Sequence, residues 1–280
     1  MLVRPTERGQ KSNIQNESRK NYKMTSPKHK FIEIIKRHSY FRDSINWKKL
    51  QREVSSTKKI NLKTVNKLLR QVDKHSFAVA KSPKEVKRNL LPKISIKEYS
   101  RDIGLLELPG FFTLDNGQYS KNYRDIVHSL KKLKDRKKLI VDLSENTGGN
   151  MYPWLAALAP LYDTGYVGYF EYKYKNTKDG WFINKDGVYC GSKKWFKKIN
   201  KDKFSFEKIA ILVSPQTSSS GEAIAMSFIG QNNVKIFGQK TAGFTTGNED
   251  YNISDLTIWL STCTMEDRKQ KMYPDGVIPE

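Results

Sequence analysis

From residue 101 onward, short runs of β-branched and aliphatic residues alternate with segments whose apolar positions recur at helical spacing, the pattern of strands interleaved with helices. Gly104 to Leu108, Leu139 to Leu143, the run Lys208-Ile209-Ala210-Ile211-Leu212-Val213 and Val234 to Gly238 read as strands, with another near Leu256 to Leu260. Tyr119 to Leu133 reads as an amphipathic helix. Met151 to Leu161 reads as a helix interrupted at Pro153 and Pro160, and the Ala- and Met-rich stretch from Ala223 to Ile229 as a further helix. The aromatic-rich segment Tyr166 to Tyr189 predicts a hairpin, with Lys178-Asp179-Gly180 and Lys185-Asp186-Gly187 as turns. Alternation of this kind predicts an α/β fold, a central mixed sheet with helices packed on it.

Upstream the pattern changes. Phe31, Ile34 and Ile35, then Trp47 and Leu50, then Val65, Leu68, Leu69 and Val72 recur at helical spacing, which predicts two or three short helices closed off by Pro83 and Pro92. The chain therefore divides into a basic tail over residues 1–30, expected to be disordered, a helical subdomain over 31–92 and an α/β core over 93–280.

Charge sharpens this division. Of the net +22, residues 1–100 carry 26 Lys and Arg against 8 Asp and Glu, and the remainder is near balance at 25 against 21. Such a field suits an anionic surface, whether membrane or acidic polymer. With no zinc-finger spacing and no aromatic RNA-binding signature, nucleic acid is not the expected partner. Two cysteines, Cys190 and Cys263, do not make a disulfide framework. No apolar run approaches the ~20 residues of a membrane span, and the first thirty residues do not read as an export signal. As written, the chain reads as soluble.

Candidate chemistry lies at two junctions. Thr217-Ser218-Ser219-Ser220-Gly221-Glu222 sits where a buried strand turns into a helix, so unpaired backbone N–H groups and the helix dipole surround three hydroxyls. A serine N-cap with Glu222 closing a capping box explains the same residues. The loop Asp142-Leu143-Ser144-Glu145-Asn146-Thr147-Gly148-Gly149-Asn150 follows a second strand, and its paired glycines free the backbone either for a plain turn or for inward N–H groups of the kind an oxyanion needs. A serine nucleophile also needs a base. The histidines are His29 in the tail, His128 within a helix, and His38 and His75, each followed by serine; their order along the chain does not separate the last two.

Five segments, in order, resemble the carboxyl-terminal processing (tail-specific) serine protease family. Asp73-Lys74-His75-Ser76 is similar to its Asp-x-His-Ser/Thr segment, Asp142 to Asn150 to its glycine loop, and Thr217 to Glu222 to its Thr-Ala-Ser-Ser-Ala/Gly-Glu segment; Gly238 to Gly243 and Asp275 to Glu280 fit its downstream pattern. The resemblance covers about residues 31–280. It implies a ClpP/crotonase-like core and a serine peptidase acting on extended peptides or protein tails. On it, Ser219 is the nucleophile rather than Ser218 or Ser220, and His75 is the general base. The backbone N–H groups of Ser220 and of Gly148 or Gly149 form the oxyanion hole, Glu222 supports or caps, and Asp275 is a candidate third acid. No metal or cofactor is called for. The family's other branch uses a lysine where this chain has Phe244, so the resemblance favours histidine. About twenty residues separate His75 from a strand-like segment near Lys97, too few for the PDZ domain of many relatives. Relatives usually work outside the cytoplasm. Glu145 departs from the family loop and would oppose negative charge if it pointed inward; a catalytically degenerate binding or immunity module is the alternative reading.

Overall fold

A computed structural model describes residues 26–81, 94–111, 116–163 and 165–280. The expected tail falls outside them up to residue 25, as do Pro83 and Pro92. The first helix, α1 (Pro27–His38), begins within the segment expected to be tail, because Ser26 accepts a hydrogen bond from His29 N and Pro27 opens the first turn. It is followed by α2 (Trp47–Ser56) and α3 (Leu62–Leu69), each capped by an asparagine side chain, Asn46 and Asn61. Their apolar stripes meet in one cluster holding Phe31, Ile35, Leu50, Val65 and Leu69. That cluster also contains Ile253, Leu256, Ile258 and Leu260 from the far end of the chain, so the helices are seated on the sheet that follows.

The remaining chain is α/β, with its strands divided between two sheets rather than gathered into one. The first has the order β10-β9-β4-β3-β2, from β2 (Ser95–Glu98), β3 (Ile103–Glu107), β4 (Lys138–Asp142), β9 (Lys208–Val213) and β10 (Val234–Gly238). All of its pairs are parallel except β2 with β3. The second is antiparallel, β1-β12-β5-β6-β7-β8, with β11 also paired to β12. Its strands are β1 (Phe77–Ala80), β5 (Tyr166–Tyr172), β6 (Thr177–Asn184), β7 (Gly187–Cys190), β8 (Lys193–Phe196), β11 (Thr246–Ile253) and β12 (Leu256–Glu266). Between β3 and β4 runs α4 (Asn116–Lys132). After β4 comes α5 (Met151–Ala157), which Pro160 ends in a short 3₁₀ turn. After β9 comes α6 (Ser220–Phe228), buried along its whole length and touching β9 of one sheet and β5 of the other.

The aromatic segment forms three strands, β5, β6 and most of β7, rather than one hairpin. Lys178-Asp179-Gly180 lies inside β6, where Gly180 is required by packing: a Cβ there would come within 2.4 Å of the Tyr166 ring. The chain turns instead between β5 and β6, where Asn176 adopts a φ of +50°. Lys185 and Asp186 do make the turn into β7. The strand β11 has no counterpart in the sequence reading, since Thr-Gly-Asn-Glu-Asp-Tyr-Asn lacks the apolar alternation that marks a strand. Both cysteines are free and buried. No helix among the described residues is long and apolar enough to cross a membrane.

Candidate active site

Because β4 and β9 are parallel neighbours in register, Asp142 opposite Leu212, the segments that leave their carboxyl ends emerge side by side. Asn146, fully buried, joins them. Its side chain donates to Leu108 O (2.9 Å) and accepts from Gly148 N (3.0 Å), and its carbonyl accepts from Ser218 N (2.9 Å). Thr217 Oγ1 donates to Leu143 O at 2.7 Å and fixes the other side of the serine turn. The glycine loop and the serine run therefore form one rigid unit.

Within it Ser219 takes φ +54°, ψ −118°, a conformation that side chains rarely adopt. The backbone N–H donates to Glu222 Oε2 at 2.9 Å, while the hydroxyl turns outward and meets His75 Nε2 at 3.0 Å. Of the neighbouring serines, Ser220 donates its hydroxyl to Gly149 O, and Ser218 is buried. His75 arrives from the other sheet, in the turn before β1, which Asp73 fixes by accepting from the N–H groups of His75 (2.8 Å) and Ser76 (2.7 Å). The second imidazole nitrogen, Nδ1, lies 2.7 Å from Thr246 Oγ1 at the start of β11. Phe244 stacks on the imidazole, ring centroids 5.2 Å apart and planes 12° off parallel. Burial pushes His75 down to about 4, with the Asp73 carboxylate pulling the other way and Lys74 adding to the fall.

Glu222 does more than cap. Its fully buried carboxylate accepts from the N–H groups of Ser219, Gly243 (2.7 Å) and Phe244 (2.7 Å) and from the Thr241 hydroxyl, so it ties α6 to the loop that carries Phe244 and Thr246. Burial raises its pKa, against these four donors.

Gly148 N–H is taken by Asn146, whereas those of Gly149 and Ser220 have no partner among the described residues. A Cβ on Gly148 would stand 2.8 Å from Ser219 Cβ, and its φ is +101°. Its glycine serves the close approach of loop to serine, and Gly149 is left as the loop's free donor. Asp275 is not brought to His75: its side chain is exposed, and Thr246 occupies the Nδ1 position. The closing segment acts through backbone instead, with Val277 bonded to Thr241 at both N–H and carbonyl. Glu145 is exposed and is not among the residues that line the cleft. His128 is exposed on α4, and His38 packs on Tyr251. Thr246, Asn146 and the stacking of Phe244 escaped the sequence reading. The β1–β12 and β11–β12 pairings, which sequence spacing does not signal, together bring Thr246 to the histidine.

The pair opens into a cleft of about 1280 Å³, lined by aromatic side chains such as Phe111, Tyr152 and Trp195 and by β11 from Thr246 to Tyr251. Residues 102–279 match peptidase family S41. The chain belongs to that family.

This S41 chain is 28% identical over 244 residues to the nisin-resistance protein of Lactococcus lactis subsp. lactis, covering 83% of the chain and 74% of the relative. Among solved structures it is similar to a lipoprotein from Streptococcus agalactiae, with a TM-score of 0.73, 25% identity and coverage of 90% and 89%. A structure from Parabacteroides merdae, at 14% identity, 91% and 89% coverage and a TM-score of 0.59, shares the fold.

Proposed function

We propose that this S41 chain is a serine peptidase that cleaves extended peptides or protein tails through Ser219 and His75, without a PDZ domain. The observation that carries this is the 3.0 Å approach of His75 Nε2 to the hydroxyl of a serine held at positive φ at a helix N-terminus. With its proton on Nδ1, facing Thr246, the imidazole accepts the Ser219 proton at Nε2 as Oγ attacks the scissile carbonyl. The N–H groups of Ser220 and Gly149 stabilise the oxyanion that forms. His75 then gives the proton to the leaving amine, the C–N bond breaks, and water, deprotonated by the same nitrogen, hydrolyses the acyl-enzyme. Burial keeps the imidazole neutral and able to accept at neutral pH.

The edge of β11 away from β12 pairs with no strand among the described residues and lines the cleft, so an extended peptide can add there as a further strand. The cleft is larger than the ~300–1,000 Å³ of a small-molecule pocket, which suits a peptide of several residues. The relative named for nisin resistance supports a peptide substrate, and the likeness to a lipoprotein supports a place outside the cytoplasm. The basic N-terminal third is assigned to contact with an anionic surface.

An active-site fluorophosphonate tests the reading. Modification mapped to Ser219, lost in Ser219→Ala and His75→Ala, is the expected result. A folded protein that takes no label would overturn it in favour of a binding or immunity module.

A further inference from the structure

His75 has no carboxylate on Nδ1, yet the hydrogen bonds beyond Thr246 lead to one. Thr246 Oγ1 lies 3.1 Å from Ser261 Oγ on β12, and Ser261 Oγ lies 3.1 Å from Asp73 Oδ1. Ser261 is fully buried and Thr246 nearly so, which leaves both hydroxyls to be satisfied by these partners. The geometry points to Thr246, Ser261 and Asp73 as a relay of positioning residues through which a carboxylate two hydroxyls away holds the His75 proton on Nδ1. This rests on the Ser/His reading above.

The direction of the relay follows from the donors available. An ionised carboxylate only accepts, and each hydroxyl has one proton. Ser76 Oγ donates to Asp73 Oδ2 at 2.6 Å and accepts from Ser261 N at 2.9 Å, so its own proton is committed. Ser261 Oγ therefore faces two acceptors, Asp73 Oδ1 and, also at 3.1 Å, Asn248 Oδ1. Its proton goes to one of them, and the charged oxygen is the stronger acceptor. Ser261 must then accept from Thr246, and Thr246 from His75 Nδ1–H. The reverse order would set the Ser261 lone pairs against two acceptor oxygens. It would also place the imidazole proton on Nε2, where it cannot receive one from Ser219. No proton travels along the relay: when His75 becomes imidazolium, Nδ1 keeps its proton and the polarised hydroxyls bring the Asp73 charge to bear on it.

Threonine at 246 separates shape from hydrogen bonding. Thr246→Val keeps the methyl-bearing shape and removes the hydroxyl, whereas Thr246→Ser keeps the hydroxyl and removes the methyl. Two readouts are needed: the rate of fluorophosphonate labelling at Ser219, and the His75 tautomer from ¹⁵N-histidine NMR of the full chain. Thr246→Val and Ser261→Ala are expected to slow labelling on the order of 10–100-fold, less than the ~10⁴ lost when a direct acid partner is neutralised, and to move the proton off Nδ1. Thr246→Ser is expected to stay within about 3-fold of the parent with the tautomer unchanged. Parental labelling and an unchanged Nδ1–H in Thr246→Val would overturn the relay. Should Thr246→Val not fold, Ser261→Ala carries the same test. Should the parent protein not label at all, the hydrolytic reading falls, while the tautomer shift still decides the relay by itself.

Discussion

At Ser219 a non-glycine residue occupies φ +54°, a conformation that costs about 1–3 kcal/mol and is retained only where its surroundings impose it. Asn146 fixes the turn before it and Glu222 its own N–H. Two predictions follow for single residues. Ser219→Gly should abolish labelling yet melt higher than Ser219→Ala, since glycine relieves the backbone and alanine does not; equal melting temperatures would count against strain. For His75, burial places the imidazole near 4, below the 6.5 of a free histidine. On the proposed mechanism the neutral form is the base, so activity should fall only as pH drops through the folded value. The acid limb of labelling should therefore lie well below 6.5. The same depression means the unfolded chain binds more protons between about 4 and 6.5, so His75 makes stability decline as pH falls through that window. A limb at 6.5 or above would mean that the imidazole is more hydrated than its position in the cleft implies.

At the scale of elements, the site is assembled from three pieces: the β4 and β9 termini, the turn before β1, and the loop from Thr241 to Thr246. The first was legible in the sequence, because paired glycines and a serine run after apolar strands are local signals. The second was legible only through resemblance, since His38 and His75 look alike locally. The third was not, because its contacts are long-range: Glu222 reaches Gly243 and Phe244, and Thr246 reaches His75 across 171 positions. Likewise the division into two sheets depends on which polar strands pair, and β11 carries no apolar alternation to announce it. The clamp can be tested directly. Glu222→Gln replaces one acceptor oxygen by a donor facing buried N–H groups, which should cost about 2 kcal/mol and lower labelling as the Phe244–Thr246 loop loosens. Gly148→Ala should act oppositely, with little change in the loop at 241–246 but a displaced serine. A shift of about 1 Å there is worth on the order of 100-fold in rate. If Glu222→Gln labels and melts like the parent, Glu222 is no more than a cap.

Over the whole molecule, two hydrophobic clusters share β12, one beneath the helices and one between the sheets, and the helical segment that delivers His75 is rich in basic residues. Residues 26–81 carry 15 Lys and Arg against four Asp and Glu. The cleft repeats the bias at short range: Arg70, Lys74 and Lys193 line it against Glu249 and Asp250, and Glu249 is engaged by Lys175 at 3.2 Å. Both scales predict that an approaching peptide is drawn in when acidic and repelled when basic. Two peptides with the same scissile bond and opposite flanking charges should therefore differ in kcat/KM on the order of 10-fold at ~0.01 M salt, where the screening length is about 30 Å, in favour of the acidic one. The ratio should fall toward one near 1 M, where it is about 3 Å. Because field strength governs encounter rather than chemistry, kcat should be insensitive to salt for both. A preference for the basic peptide at low salt would mean that Glu249 and Asp250, at the cleft edge of β11, outweigh the field of the helices.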